Sequence, residues 1–440
     1  MFRPTGFADL LGKRVGIYGY GIEGRATARR LRDVGADLVI VDDDPHDEGV
    51  VPTAGGGLDA LATCDVVVKS PGIPRRRRDV TGLEERGVTV TSALDLWLHE
   101  IDPERVIAVT GTKGKSTTTA LIAFVLRILG EEAHELGNFG QPPYDPDLDT
   151  SSGWLVLEVS SFQSLDVTRA PGLVLVTSLG SDHLDWHGTL EQYHQDKLTI
   201  TRATGDHVTL IADRPELRRE RASMGGRVVV APAESTGLAH ELGLLGPHND
   251  SNVALALQAC ALATGLDIDD VRAAVRMRAF EFVPLRGRLT LIATRDVEGG
   301  RVRFVDDGLA TAPLPTLAAL EVFVDEPVAL IAGGFDRGVD YDTLVQGLRR
   351  RIAPTTLVVI GPAGERLAAS CGVSLPVIHA TDMRRAVNAA DRALAGGGVV
   401  LFSPAAPSFD AYRNWSERSD DFAQCVQRVL TRHETTDAPD

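Results

Sequence analysis

The chain has few lysines, few cysteines and no long apolar run, and each shortage removes a class of protein. No apolar stretch approaches the ~20 residues a membrane helix needs, and the opening MFRPTGFADLLGKR lacks a signal-peptide core. The expectation is therefore a soluble, cytoplasmic protein with no membrane partner. The four cysteines, Cys64, Cys260, Cys371 and Cys425, show no metal-site or redox spacing. They read as small buried hydrophobes in a reducing compartment. Basic residues number 45 against 61 acidic ones, a net charge of −16. Such a surface repels a polyphosphate backbone and argues against nucleic acid as a partner. The arginine run at 75–78 is a local exception and reads first as a solvated loop. Only five lysines stand against forty arginines, and Lys69, Lys113, Lys115 and Lys197 fall in segments that matter below.

What is present is an ordinary globular composition, 43% hydrophobic and 24% charged over 440 residues, enough for about three domains of ~150 residues. The most informative stretch is 105–130, RVIAVTGTKGKSTTTALIAFVLRILG. Residues 106–110 read as a buried strand, Gly111-Thr112-Lys113-Gly114-Lys115-Ser116 as a turn, and 117–129 as a helix that Gly130 stops. In such a phosphate cradle the turn amides through Thr117 and the helix N-terminus hold anionic oxygens. Lys115 adds a point charge and Ser116 offers a hydroxyl to Mg²⁺. The general pattern asks for glycine where Val109 stands, so the match is to a shorter variant, G-T-x-G-K-S. A nucleoside triphosphate is the expected ligand.

Upstream, the strand 14–18 runs into Gly19-Tyr20-Gly21-Ile22-Glu23-Gly24 and a helix, and a second strand, 38–41, ends at Asp42. This Rossmann-type start permits a dinucleotide, a single nucleotide or only tight turn packing. The strand 65–68 leads into Lys69 and the loop Ser70-Pro71-Gly72, at the carboxyl end where open α/β sheets bind ligands. Downstream of the cradle, 137–143 reads as a loop and 154–159 as a strand. Glu158, near the end of that strand, sits where a Mg²⁺ carboxylate is needed. A strand at 173–179 leads to His183 in a polar run, and Lys197 lies on a probable helix. The segment 246–252 precedes a helix reaching Thr264, where its polar residues would cap the helix or hold a base or ribose. Beyond a linker at 282–288, strands and helices alternate again, which predicts a mostly parallel sheet.

In this order the segments resemble the Mur ligase family from Gly19 to Trp415, carried by VTGTKGKSTTT, LEVSSFQ, SDHLDWHG with YHQDK, and GPHNDSN. GYGIEG, KSPGI, GGFDRGVD and SPAAPSFDAYRNW resemble its glutamate-adding, MurD-like branch. The resemblance implies an α/β protein of three domains. These are a Rossmann-like UDP-binding domain at 1–103, a central P-loop-type ATPase with a mostly parallel sheet at 104–282, and a Rossmann-like amino-acid domain at 283–435. It implies that Lys115 and the turn hold ATP, with Ser116 and Glu158 on one Mg²⁺. A second Mg²⁺ would be held by His183, Glu158 and a carbamylated Lys197. His248, Asn249 and Asn252 would lie beside the nucleotide, and Arg286 and Asp307 would close over it. Gly19, Tyr20, Gly21, Ile22, Asp42, Ser70, Pro71 and Gly72 would hold UDP, and Asn138 the muramyl group.

The implied reaction is ATP-dependent addition of glutamate to UDP-N-acetylmuramoyl-L-alanine through an acyl phosphate, by a monomer, in peptidoglycan synthesis. One departure bears on the amino acid. D-glutamate enzymes of the family usually carry Asp-Ser-Lys-Ala-Thr-Asn where this chain has Asp307-Gly308-Leu309-Ala310-Thr311-Ala312. Thr311, Arg337, Ser408, Phe409 and Trp415 would still line the pocket. The pattern looks more like the branch that adds L-glutamate, whose product then needs an epimerase; D-glutamate is the alternative. An NAD(P)-dependent oxidoreductase, resting on the first glycine loop alone, explains neither the cradle nor SDHLDWHG.

Overall fold

The computed structural model describes residues 2–138, 141–233 and 237–436, so Phe139 and Gly140 of the expected loop lie outside it. Three sheets follow one another along the chain. The first holds β1 (Arg14–Tyr18), β2 (Asp37–Asp42), β3 (Val51–Pro52), β4 (Val66–Lys69) and β5 (Thr89–Thr91), ordered β3-β2-β1-β4-β5 and all parallel. The second holds β6 (Val106–Thr110), β7 (Ala133–Gly137), β8 (Trp154–Glu158), β9 (Leu173–Val176), β10 (Val208–Ile211) and β11 (Arg227–Val230). Its order is β11-β10-β9-β6-β8-β7, again all parallel, with β6 in the middle and the cradle at its carboxyl end. β6 reads VIAVT and is buried throughout, as a central parallel strand covered on both faces must be.

The third sheet holds β12 (Thr290–Val297), β13 (Gly300–Asp306), β14 (Val328–Gly333), β15 (Thr355–Ile360), β16 (Val377–Ala380) and β17 (Gly398–Phe402). Its order is β12-β13-β17-β14-β15-β16, parallel except for the antiparallel edge pair β12–β13. The expected α/β class with mostly parallel sheets is therefore what the chain forms. β12 has no counterpart among the expected strands. Its residues, TLIATRDV, are half-exposed and carry Arg and Asp, so no continuous apolar run announces an edge strand.

Contacts group the chain into two compact units. The first contains residues 1–236 and 250–279, hence the first two sheets; the second contains 237–249 and 280–440, hence the third. In the first unit one core runs from Phe7 and Val15 through Leu94, Trp97 and Leu98 to Val106, Leu155 and Val174. The helix Ala93–Glu100 (ALDLWLHE) supplies the middle of that core and is capped by Ser92. All four cysteines are free and buried, as expected. No described helix is long and apolar enough to cross a membrane.

Candidate functional site

The cradle is shaped from behind by the chain that leaves β9. The turn passes through Gly111 (φ 144°) and Gly114 (φ 90°). A Cβ on Gly111 would overlap Thr177 Oγ1, and one on Gly114 would come within 2.5 Å of Asn252 Oδ1, so only glycine fits. The Thr177 N–H donates to the Thr110 carbonyl (2.9 Å), and Thr177 Oγ1 donates to the Lys113 carbonyl (2.6 Å). Lys113 and Thr112 in turn donate their N–H groups to Ser178, at Oγ and the carbonyl, both at 2.9 Å. This corrects the expected strand 173–179, which stops at Val176: its last polar residues leave the ladder to hold the cradle. The cradle helix, Lys115–Ile128, starts two residues earlier than expected because Gly114 takes the left-handed conformation ahead of it. Lys115 folds over its own turn, donating from Nζ to the carbonyls of Gly111 (2.9 Å) and Thr112 (3.3 Å). Ser116 is buried at the first turn of that helix, while Thr117 follows half-buried.

Beside the cradle lie an acid and a lysine, both 2% exposed. Glu158 pairs in register with Val109 at the end of β8. Its Oε1 accepts from Asn138 Nδ2 at 2.9 Å, and its Oε2 is buried without a hydrogen-bond partner. Lys197, at the end of the helix Leu190–Lys197, donates to the Gly111 carbonyl at 3.1 Å and sits 4.9 Å over the Tyr193 ring. Burial, and then the charge of Lys115, hold its ammonium well below the usual lysine range, against the opposing pull of Asp182 and Glu158. His183 is exposed at φ 49°, heading the short helix Leu184–His187, with its ring 4.9 Å from that of Phe162. A buried carboxylate oxygen left without a donor is what a hard cation would satisfy, so the residues present fit Mg²⁺. Among the described residues no three His, Cys, Asp or Glu side chains converge to hold a metal by themselves.

The first glycine loop is braced differently. Asp42 accepts the N–H groups of Tyr20 (2.5 Å) and Asp44 (2.9 Å), and Ser70 Oγ donates to the Gly19 carbonyl at 2.6 Å. A Cβ on Gly24 would overlap that same Gly19 carbonyl, whereas Gly21 and Gly72 face open space. Ile22 is 79% exposed at the start of the helix Ile22–Asp33. Trp186 Nε1 donates to the Gly72 carbonyl at 3.2 Å, tying the Ser70-Pro71-Gly72 loop to the short helix that His183 opens.

Several residues that sequence reasoning passed over bind these loops together. The arginine run is not a solvated loop: Arg75 reaches Asp166 (3.2 Å) and Glu84 (2.5 Å), Arg76 grips Asp196 through both terminal nitrogens (2.6 and 2.9 Å), and Arg77 pairs with Asp43 and Asp79. Asp196 passes the contact on to His187 Nδ1 (2.8 Å), whose Nε2 meets Ser161 Oγ at 2.9 Å. Burial lowers the His187 pKa, and the bonded Asp196 opposes it. Lys69, wholly buried, forms an ion pair with Asp166. Glu23 accepts from Tyr144 and Gln163, both at 2.7 Å, and burial raises its pKa. Lys69 had a signal as one of five lysines, the arginine run as a local excess of charge, and His187 as the second histidine of SDHLDWHG; their acidic partners had none.

The second unit gathers the remaining candidates. Arg286 pairs with Asp420. Asp307 accepts from Ser403 Oγ at 2.7 Å, and burial pushes its pKa up to about 7. Arg337 donates to the Thr311 carbonyl at 3.0 Å, which brings two expected glutamate-pocket residues into contact. Ser408 is buried, Phe409 is exposed, and Trp415 packs where a Cβ on Gly287 would meet its ring at 2.7 Å. Arg418 is the residue missed here. Buried, it donates to the carbonyls of Gly333, Pro407 and Ala406 at 2.9 to 3.3 Å, fastening two loops at strand ends, and burial lowers its pKa to about 10. His248 and Asn249 open the helix His248–Thr264 rather than precede it, and both group with this unit. Asn252, three residues on, groups with the cradle.

Residues 109–236 match the family described as Mur ligase middle domain. The chain is 36% identical to UDP-N-acetylmuramoyl-L-alanine–L-glutamate ligase of a Micromonospora species, across 96% of this chain and 98% of that protein. It is 33% identical to UDP-N-acetylmuramoylalanine–D-glutamate ligase of Symbiobacterium thermophilum, across 92% of each. Among solved structures, a pseudomurein peptide ligase type C from Methanothermus fervidus aligns over 95% of this chain and 100% of its own. The TM-score is 0.50 at 14% identity, a likeness of fold.

Proposed function

This chain belongs to the Mur ligase family, and from that premise we propose that it is an ATP-dependent ligase of peptidoglycan precursor synthesis that adds L-glutamate to UDP-N-acetylmuramoyl-L-alanine. The observation that carries the reading is the buried Glu158 with an unpartnered oxygen beside a phosphate cradle that Lys115 closes over. The turn 111–117 would hold the triphosphate, and Lys115 would swing from the Gly111 carbonyl to the phosphate oxygens. Ser116, Glu158, His183 and Lys197 would hold Mg²⁺, which when bound offsets the charge on the transferred phosphoryl group. The substrate carboxylate attacks the γ-phosphate and ADP leaves. The amine of glutamate then displaces phosphate from the acyl phosphate, loses a proton and forms the amide.

Lys197 has the chemistry for carbamylation. Its burial favours the neutral amine, which adds to CO₂ and releases one proton, giving a carboxylate-like ligand. In the second unit Thr311, Arg337, Ser408, Phe409 and Trp415 would take the amino acid, Arg337 already meeting the Thr311 carbonyl. Leu309 and Ala312 replace the lysine and asparagine usual in D-glutamate enzymes, which supports the L isomer. The Symbiobacterium relative favours D-glutamate as the second reading. Phosphate release with ATP, Mg²⁺, UDP-N-acetylmuramoyl-L-alanine and each glutamate isomer in turn separates them: L-glutamate alone should support turnover, and turnover with D-glutamate alone overturns the assignment.

A further inference from the structure

In a chain of net charge −16, the second unit carries a groove of about 360 Å³ whose lining, among the described residues, includes no carboxylate. Its polar walls are His379 at β16, Arg384, Arg385, Asn388 and Arg392 on the helix Met383–Ala393, and Arg432 on the helix Trp415–Thr436. None of these belongs to the proposed ligase machinery. Residues 384, 388 and 392 recur every fourth position and share one helix face. Asn388 is fixed by donating from Nδ2 to the Arg384 carbonyl (2.7 Å), and its Oδ1 accepts from Arg432 Nη1 at 3.0 Å, which holds that guanidinium in the groove. Arg385 is tied to Thr381 and Asp382. The guanidinium groups of Arg384 and Arg392 have no hydrogen bond or ion pair among the described residues.

Arg385 has Asp382 and His379 has Glu365, but the like charges of Arg384 and Arg392 share one face of the groove with no ion pair of their own among the described residues, and a polyvalent anion is what would offset their repulsion. The forked donors of arginine match phosphate oxygens two at a time. Among the described residues the only apolar linings are Ala380 and Ala389, too small to insert into a lipid layer. We propose that this groove binds a small soluble anion carrying two or more phosphate groups.

Inorganic tripolyphosphate tests the proposal by isothermal titration of the full chain carrying Lys115→Ala, which weakens the competing cradle. One binding event should remain, weaken with added salt, and fall at least about tenfold when Arg384→Ser and Arg392→Ser are added. Arg384→Lys with Arg392→Lys should lose less, since the charge stays while the fork is lost. Arg384 and Arg392 are exposed, and unchanged thermal melting of each variant checks that it folds. Absence of binding, or equal affinity with and without the two serines, overturns the site. Co-sedimentation with phosphatidylcholine vesicles containing phosphatidylglycerol, without tripolyphosphate binding, overturns the soluble-anion assignment in favour of a membrane surface.

Discussion

Two glycine turns in the first unit share a strand–turn–helix plan and differ in what stands behind them. The turn after β1 is braced by Asp42, Ser70 and the close approach of Gly24, and it leaves Gly21 and Gly72 facing open space. The turn after β6 is braced by Thr177 and Ser178 and is backed by buried Glu158 and Lys197. Both can approach an anion through backbone N–H groups. Both have a buried lysine and carboxylates at hand, but Lys69 is already paired with Asp166, whereas the second turn carries Lys115 over its own carbonyls and leaves one Glu158 oxygen without a partner, so it is the second that can respond to charge that develops during a reaction.

The sharpest way to break this comparison is to remove the cation. Lys115→Ala should lower kcat/KM for phosphate release by roughly 10²–10³-fold, in the range for losing a group that stabilises a transition state. Ile22→Ala in the first turn should change kcat less than tenfold, and equal losses at the two positions would erase the distinction.

Lys197 tests the buried amine. The folded state gives up this proton at a lower pH than the unfolded chain, whose value is ~10.4, so unfolding takes a proton up between the two. Lys197 therefore costs stability at neutral pH, and the cost fades as pH rises towards ~10.4. Lys197→Met should melt higher than the parent at pH 7, with the gain shrinking in alkali, yet lose most of its activity. Activity of the parent in carbonate-free buffer should recover on adding bicarbonate, most visibly on the acid side where carbamate is lost. The methionine variant should not recover.

Substitutions at the glycines sharpen the comparison through stability. Gly111→Ala combines φ 144° with overlap on Thr177 and should cost about 2–4 kcal/mol in urea unfolding. Gly21→Ala, at φ −74° with open space, should stay within about 0.5 kcal/mol and act instead on KM for the sugar nucleotide.

A smaller effect than at Gly111 is expected where the two turns are linked. Arg76→Ala leaves Asp196 bonded to His187 and Gln192 and should cost about 1–2 kcal/mol. Combined with Asp196→Asn, the loss should be less than the sum of the two single losses.

The strands β1 and β6 were legible to the residue because each is a short, mostly apolar stretch that starts after a basic residue and ends at a glycine. The cradle was legible because its chemistry is compressed into six consecutive residues. The arginine run was not, since Arg75 and Arg76 find their acids 91 and 120 positions away. Asp42, expected among the UDP-holding residues, accepts two backbone N–H groups, one from the glycine loop and one from its own, a bracing role no spacing reveals. β12 and Arg418 escaped for the same reason, one half-exposed at an edge, the other a charge whose carbonyl partners lie on loops at the ends of β14 and β17.

By itself the sequence determined where strands alternate with helices, where a triphosphate can be cradled, and which rare lysines count. These depend on residues adjacent in the chain, where periodicity and backbone geometry act. Tertiary structure alone decided that burial holds the Lys197 pKa down, that one Glu158 oxygen has no donor, and that Arg384 and Arg392 share a groove with no ion pair of their own among the described residues. Burial and electrostatic field depend on what the fold brings close, whatever its distance along the chain.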